Sequence, residues 1–145
     1  MTDQATERTT IDAPPDEVFA VAVDIERYPE WARDVKEAVV TERDEAGRPS
    51  RVAFRAAAMG HSARYVLRYD YDAEPLRMGW VLEQGDIVRR LDGDYTFEPS
   101  DSGGTEVTYR LVVDLAVPLP GFIKRRAESK IMTTALDELK ARVEG

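Results

Sequence analysis

Between Val35 and Leu115 the chain alternates apolar and polar residues with a period of two, and this pattern narrows its possible folds more than any other feature. Val52, Phe54, Ala56 and Ala58 alternate with Arg51 and Arg55, and Ala63, Tyr65, Leu67, Tyr69 and Tyr71 with Arg64, Arg68, Asp70 and Asp72. Leu76, Met78, Trp80 and Leu82 alternate with Arg77 and Glu83. Ile87, Leu91, Tyr95 and Phe97 then oppose Arg90, Asp92, Asp94 and Glu98, and Val107, Tyr109, Leu111, Val113 and Leu115 oppose Glu106, Arg110 and Asp114. Successive side chains of a strand point to opposite faces, so each run predicts one buried face and one wet face. The runs are separated at turn length by Gly47, Gly60, Pro75, Gly85 and Gly103-Gly104. Connections this short allow only antiparallel pairing of neighbours, which gives a meander. Thr6 to Ile11 supplies a further strand, able to pair with the far edge.

The period shifts at two places. After Ile11, Asp12-Ala13-Pro14-Pro15-Asp16-Glu17 has the composition of a helix entry, with proline at the first position and carboxylates near the positive end of the dipole. Val18, Phe19, Ala22 and Val23 form its buried face, and Pro29 restricts Tyr28 ahead of a second short helical turn carrying Trp31. At the other end, Pro118 and Pro120 stop the last strand, and Leu119 to Glu144 reads as one amphipathic helix. Its predicted stripe is Ile123, Ala127, Ile131, Ala135, Leu139 and Val143, broadened by Phe122, Met132 and Leu136. At 1.5 Å per residue, some 22 helical residues span roughly 33 Å, enough to cross a small sheet. The expected architecture is α+β: a curved seven-stranded antiparallel sheet wrapped on a long C-terminal helix, with two short helices after the first strand. Residues 1–145 contain no linker or repeat and are expected to form a single domain.

Composition excludes several function classes. The chain has no cysteine and a single histidine, His61, so thiol chemistry is impossible and neither a metal site nor any other cofactor is expected. A formal net charge of −8 opposes nucleic acid and anionic lipid surfaces. The first residues hold no apolar signal core, and no later run reaches membrane-spanning length, so a cytoplasmic protein without stable membrane insertion is expected. The oligomeric state is left open between a monomer and a weak dimer.

Ile11-Asp12-Ala13-Pro14, Glu17-Val18-Phe19 and Asp24-Ile25-Glu26-Arg27-Tyr28-Pro29-Glu30-Trp31 together resemble the opening of the polyketide cyclase/dehydrase and coenzyme Q-binding branch of the START-like (SRPBCC) superfamily. Gly103-Gly104-Thr105-Glu106-Val107-Thr108-Tyr109 is similar to its last hairpin, and the resemblance runs the length of the chain. It implies the helix-grip fold but not one function, because the superfamily includes carriers, hormone-binding proteins, cyclases and chaperone cofactors. The polar positions of its aromatase/cyclases fall near Val35, Leu67 and Tyr69 here, two of them apolar, so the resemblance assigns no catalytic residue.

Tyr65, Tyr69, Tyr71, Trp80, Tyr95 and Tyr109 all share the inward parity. As solid core they would need a partner for every hydroxyl and indole N–H, whereas a cavity with polar handles accommodates them readily. The predicted lining is Phe54, Tyr65, Leu67, Tyr69, Trp80, Tyr95, Tyr109 and Leu111 from the sheet, with Phe122, Met132 and Leu136 from the helix. Arg89 also has inward parity. It is either a strand-end arginine reaching water or a handle for a ligand oxygen near the mouth. The expected partner is a hydrophobic or amphipathic small molecule that is polyketide-, quinone- or lipid-like. The alternatives are a cyclase or dehydratase enzyme, or a protein-interaction module that uses the groove.

Overall fold

The computed structural model describes residues 4–58, 61–116 and 120–145, apart from the side chains of Ala58, His61 and Phe122. Among these residues, β1 (Ala5–Ile11) is followed by α1 (Pro15–Val23), a 3-10 turn (Ile25–Arg27) and α2 (Tyr28–Trp31). The meander comprises β2 (Val35–Arg43), β3 (Pro49–Ala58), β4 (His61–Ala73), β5 (Leu76–Gly85), β6 (Val88–Pro99) and β7 (Thr105–Leu115), and α3 (Gly121–Glu144) closes the fold. The strands form one seven-stranded antiparallel sheet in the order β1-β7-β6-β5-β4-β3-β2, the expected helix-grip arrangement with β1 on the far edge of the meander.

The period-two pattern sets the two faces of this sheet. The outer face carries ion pairs: Arg51 to Glu83 at 2.6 Å, Arg68 to Glu83 at 2.8 Å, Arg77 to Asp70 at 2.8 Å and Arg77 to Asp94 at 3.2 Å. The inner face buries Val52, Met78, Phe97, Val107 and Leu111 against Val18 and Ile25 from the helical segment and Met132 and Leu139 from α3. Each such side chain contributes roughly 1.5–3 kcal/mol through burial. Phe19 joins α1 to the sheet, its ring edge-on to Phe97 at 5.6 Å and to Tyr71 at 6.0 Å.

Bending the sheet around a helix brings backbones close together, and Gly93 sits at such an approach. Paired with Trp80 on β5 and Leu111 on β7, it has the Arg110 carbonyl 2.4 Å and the Trp80 ring 2.9 Å from where a Cβ would lie. Gly93 therefore lets β6 and β7 press together beneath the indole; it does not open room inside the fold.

α3 lies along β1 and β7 and against α1 and α2, and only part of the predicted stripe turns inward. Glu128, Met132, Leu136 and Leu139 are buried, while Ile123 is 42% and Ile131 39% exposed. Each step of four residues overshoots the 3.6-residue turn by about 40°, so a stripe at strict spacing of four winds around the helix instead of staying on one side. Polar contacts hold the helix from several directions. Glu144 accepts the Asp12 N–H at 2.8 Å, Glu138 accepts the Arg33 N–H at 3.0 Å, and Arg142 pairs with Glu30 at 3.1 Å.

Candidate functional site

Because α3 sits toward the β1–β7 side, the concave face of the remaining strands is only partly covered. A cavity of about 280 Å³ lies there, between β3–β7, the α2–β2 segment and one flank of α3. This is near the lower end of the roughly 300–1,000 Å³ typical of small-molecule sites. The strands present Phe54, Tyr65, Leu67 and Tyr69 from one arm of the sheet. Trp80, Tyr95, Tyr109 and Leu111 come from the other, so every sheet residue of the predicted lining except Arg89 borders this space.

The rings lie in two clusters on the cavity wall. Phe54 stacks on Tyr65 at 5.4 Å, Trp80 lies 5.3 Å from Tyr95 and 5.8 Å from Tyr109, and Tyr95 and Tyr109 lie 4.5 Å apart. Their hydroxyls have different fates. Tyr28 donates to the Ala22 carbonyl at the end of α1, a group that the helix itself leaves open. Tyr71 donates to the Pro49 carbonyl at 2.5 Å beneath the Arg48 guanidinium and so turns away from the cavity. Tyr109 and Tyr95 bond to each other. Among the described residues, the hydroxyls of Tyr65 and Tyr69 make no hydrogen bond, although both residues line the cavity.

Burial governs the acidity of these phenols. It pushes Tyr65 up to about 12, with the Asp34 carboxylate adding to the effect. Tyr69, Tyr95 and Tyr109 are raised further, first by burial and then by neighbouring tyrosines. All are neutral at physiological pH and act as hydrogen-bond donors, not as bases.

The helix side differs from expectation. Met132 and Leu136 are fully packed between α3 and the sheet and do not border the cavity; its α3 wall is Ile131, Thr134, Ala135, Glu138 and Leu139. The rotation described above causes the exchange, because the flank beside the buried face is the one that looks into the gap. The Phe122 side chain lies outside the described residues, as do Gly60 and the side chain of His61. Arg89 is exposed. The pairing of β6 with β7 shifts register between Val88 and Arg90, which turns Val88 inward and Arg89 to solvent.

Sequence reasoning missed the α2–β2 contribution of Tyr28, Trp31, Asp34 and Val35. Tyr28 and Trp31, three residues apart on a helical turn, carried a usable signal, since that spacing places both rings on one side. They meet edge-on at 5.1 Å. Asp34 and Glu138 carried no local signal. Among the described residues, no His/Asp/Glu group is arranged to hold a metal ion, and no helix is long and apolar enough to cross a membrane.

Comparison with known proteins gives a consistent picture. The sequence model of the family described as polyketide cyclase/dehydrase and lipid transport matches residues 2–144. No curated protein matches the chain. Among solved structures, a START superfamily protein from Mycobacterium smegmatis aligns with a TM-score of 0.90 at 23% identity, covering 97% of each chain. The protein TTHA0849 from Thermus thermophilus aligns at 0.81 with 29% identity, also over 97% of each chain. The ZhuI aromatase/cyclase from Streptomyces sp. R1128 aligns at 0.84 with 15% identity, over 99% of this chain and 94% of that one.

Proposed function

The chain belongs to the polyketide cyclase/dehydrase and lipid transport family, and from that premise we propose that it binds a hydrophobic or amphipathic small molecule between its sheet and its last helix. The supporting observation is an apolar, aromatic-walled cavity into which Tyr65 and Tyr69 bring hydroxyls without a protein partner. A ligand oxygen that accepts from one of these hydroxyls gains a net hydrogen bond worth about 0.5–1.5 kcal/mol. The flat rings of Phe54, Tyr65 and Trp80 favour planar or polyene-like bodies, including polyketide fragments and quinones. Binding is favoured over turnover because Val35 and Leu67 stand where the resemblance places polar groups of a ring-closing enzyme, and both line the cavity wall.

Titration with menadione, a neutral quinone, followed by tryptophan fluorescence, tests this reading. Saturable quenching is expected, with part of its amplitude lost in Trp80→Phe and the remainder carried by Trp31, which also borders the cavity. Tyr69→Phe should weaken the affinity roughly two- to tenfold, the worth of one net hydrogen bond. Absence of saturable quenching in the wild type would remove the proposal.

A further inference from the structure

The charged groups of the cavity are all of one sign. Among the described residues lining it, Asp34 and Glu138 are the only charged ones, and neither Lys nor Arg borders the space. Asp34 lies between α2 and β2 and Glu138 in the third quarter of α3, so the two carboxylates reach the cavity from different parts of the chain. Among the described residues neither has an ion-pair partner. Glu138 accepts only the backbone N–H of Arg33, at 3.0 Å. Both carboxylates are felt inside the cavity: Asp34 helps raise the Tyr65 phenol and Glu138 the Tyr95 phenol, in each case behind the larger effect of burial.

The basic residues at this end lie outside. Arg33 and Arg142 line the adjoining surface groove, together with Trp31 and Glu138, and Arg142 is held by Glu30 at 3.1 Å. Tyr28, Trp31, Tyr65 and Trp80 line the same cavity as the two carboxylates. Aromatic faces carry negative potential that attracts a cation within about 6 Å of the ring centre. The phenols stay neutral donors and supply no positive charge. Carboxylates at one end, aromatic faces along the walls and an overall charge of −8 all favour the same kind of guest.

We infer that the cavity selects an amphipathic cation, an aromatic or alkyl amine whose ammonium group sits between Asp34 and Glu138, and discriminates against carboxylic acids of the same shape. The inference rests on the cavity being a binding site and adds the sign of its preferred ligand. A fatty or aryl carboxylate would bring a third negative charge beside two that already lack counter-ions, which penalises it even when its apolar body fits.

The test uses three probes on one ring system: naphthylmethylamine, naphthylmethanol and naphthoate. Each is titrated calorimetrically into the full chain at neutral pH and low salt. The amine should bind about tenfold tighter than the alcohol, and the carboxylate about tenfold weaker than the alcohol. In the double variant Asp34→Asn with Glu138→Gln, the amine should fall to the affinity of the alcohol and the carboxylate should recover. The single variant Glu138→Gln should lie between, and it preserves the test if the double variant does not fold. A carboxylate that binds the wild type as tightly as the amine, or an amine affinity unchanged in the folded variants, overturns the charge selection while leaving the binding site intact. Failure of all three probes to bind overturns the cavity reading and this inference with it.

Discussion

Tyr109 and Tyr95 join the two strands that floor the cavity, with rings 4.5 Å apart and hydroxyls bonded to each other. Tyr109 is only 6% exposed, so its oxygen has little access to bulk water. Tyr109→Phe is therefore expected to lower stability by about 1 kcal/mol, and Tyr95→Phe by a similar amount. The double variant should cost less than the sum, because the second substitution removes a group that has already lost its partner. Urea unfolding of the three variants at constant m-value measures that coupling. Strict additivity would mean that the hydroxyls do not interact. Trp80 packs on both rings and on Gly93, so its conservative change to Phe should alter fluorescence and ligand response more than stability.

The elements show how small angular effects choose the site. Along α3, Leu136 is 2% exposed and surrounded by core, while Ile131 is 39% exposed and borders the cavity. Leu136→Ala should cost about 2–5 kcal/mol, and Ile131→Ala clearly less, because Ile131 has solvent or cavity beside it in the native state. Chemical denaturation of the pair ranks the two faces of the helix, and the reverse order would mean that α3 is rotated from the placement described. In β6, Gly93→Ala would drive a methyl group against the Arg110 carbonyl, at 2.4 Å from the new Cβ, and against the Trp80 ring. Backbone cannot yield as a flexible side chain can, so a loss of about 1–3 kcal/mol is expected, with a changed Trp80 emission spectrum as a local readout. Nearer the start of the same strand, the register shift at Val88–Arg90 exchanges which neighbour faces inward. That shift is the structural reason an arginine of inward parity ends in solvent.

Taken whole, the molecule places every one of its six tyrosines where the neutral phenol is favoured. Their folded-state pKa values lie above the ordinary 10.0, so the folded state holds its protons more tightly than the unfolded chain. The stability linked to these groups is fully present below pH 10.0 and is lost as pH rises toward about 12, where Tyr65 titrates. Ultraviolet titration should show almost no tyrosinate near pH 10 in native protein and about half ionisation in urea-unfolded protein. Native tyrosines that ionise normally would show that the cavity is flooded. The fold that produces this behaviour was legible in the amino-acid order because alternation, turns and capping are local: each strand, both short helices and the side of the sheet that carries Phe54, Leu67, Tyr69 and Trp80 follow from neighbours within a few positions. The resemblance of the chain to START-like proteins pointed the same way. The helix wall of the cavity was not legible, since a repeat of four in a 3.6-residue helix does not say which part of a winding stripe meets the sheet. Arg89 was misplaced for a related reason, because a bulge is set by how two strands pair and not by the composition of either one. Asp34 and Glu138 belong to segments brought together where Arg33 donates its N–H to Glu138, across 105 positions of sequence. Local chemistry thus fixed which residues face inward, while the seating of α3 against the bent sheet determined which of them border empty space, because a cavity is the volume left between elements and no single element encodes it.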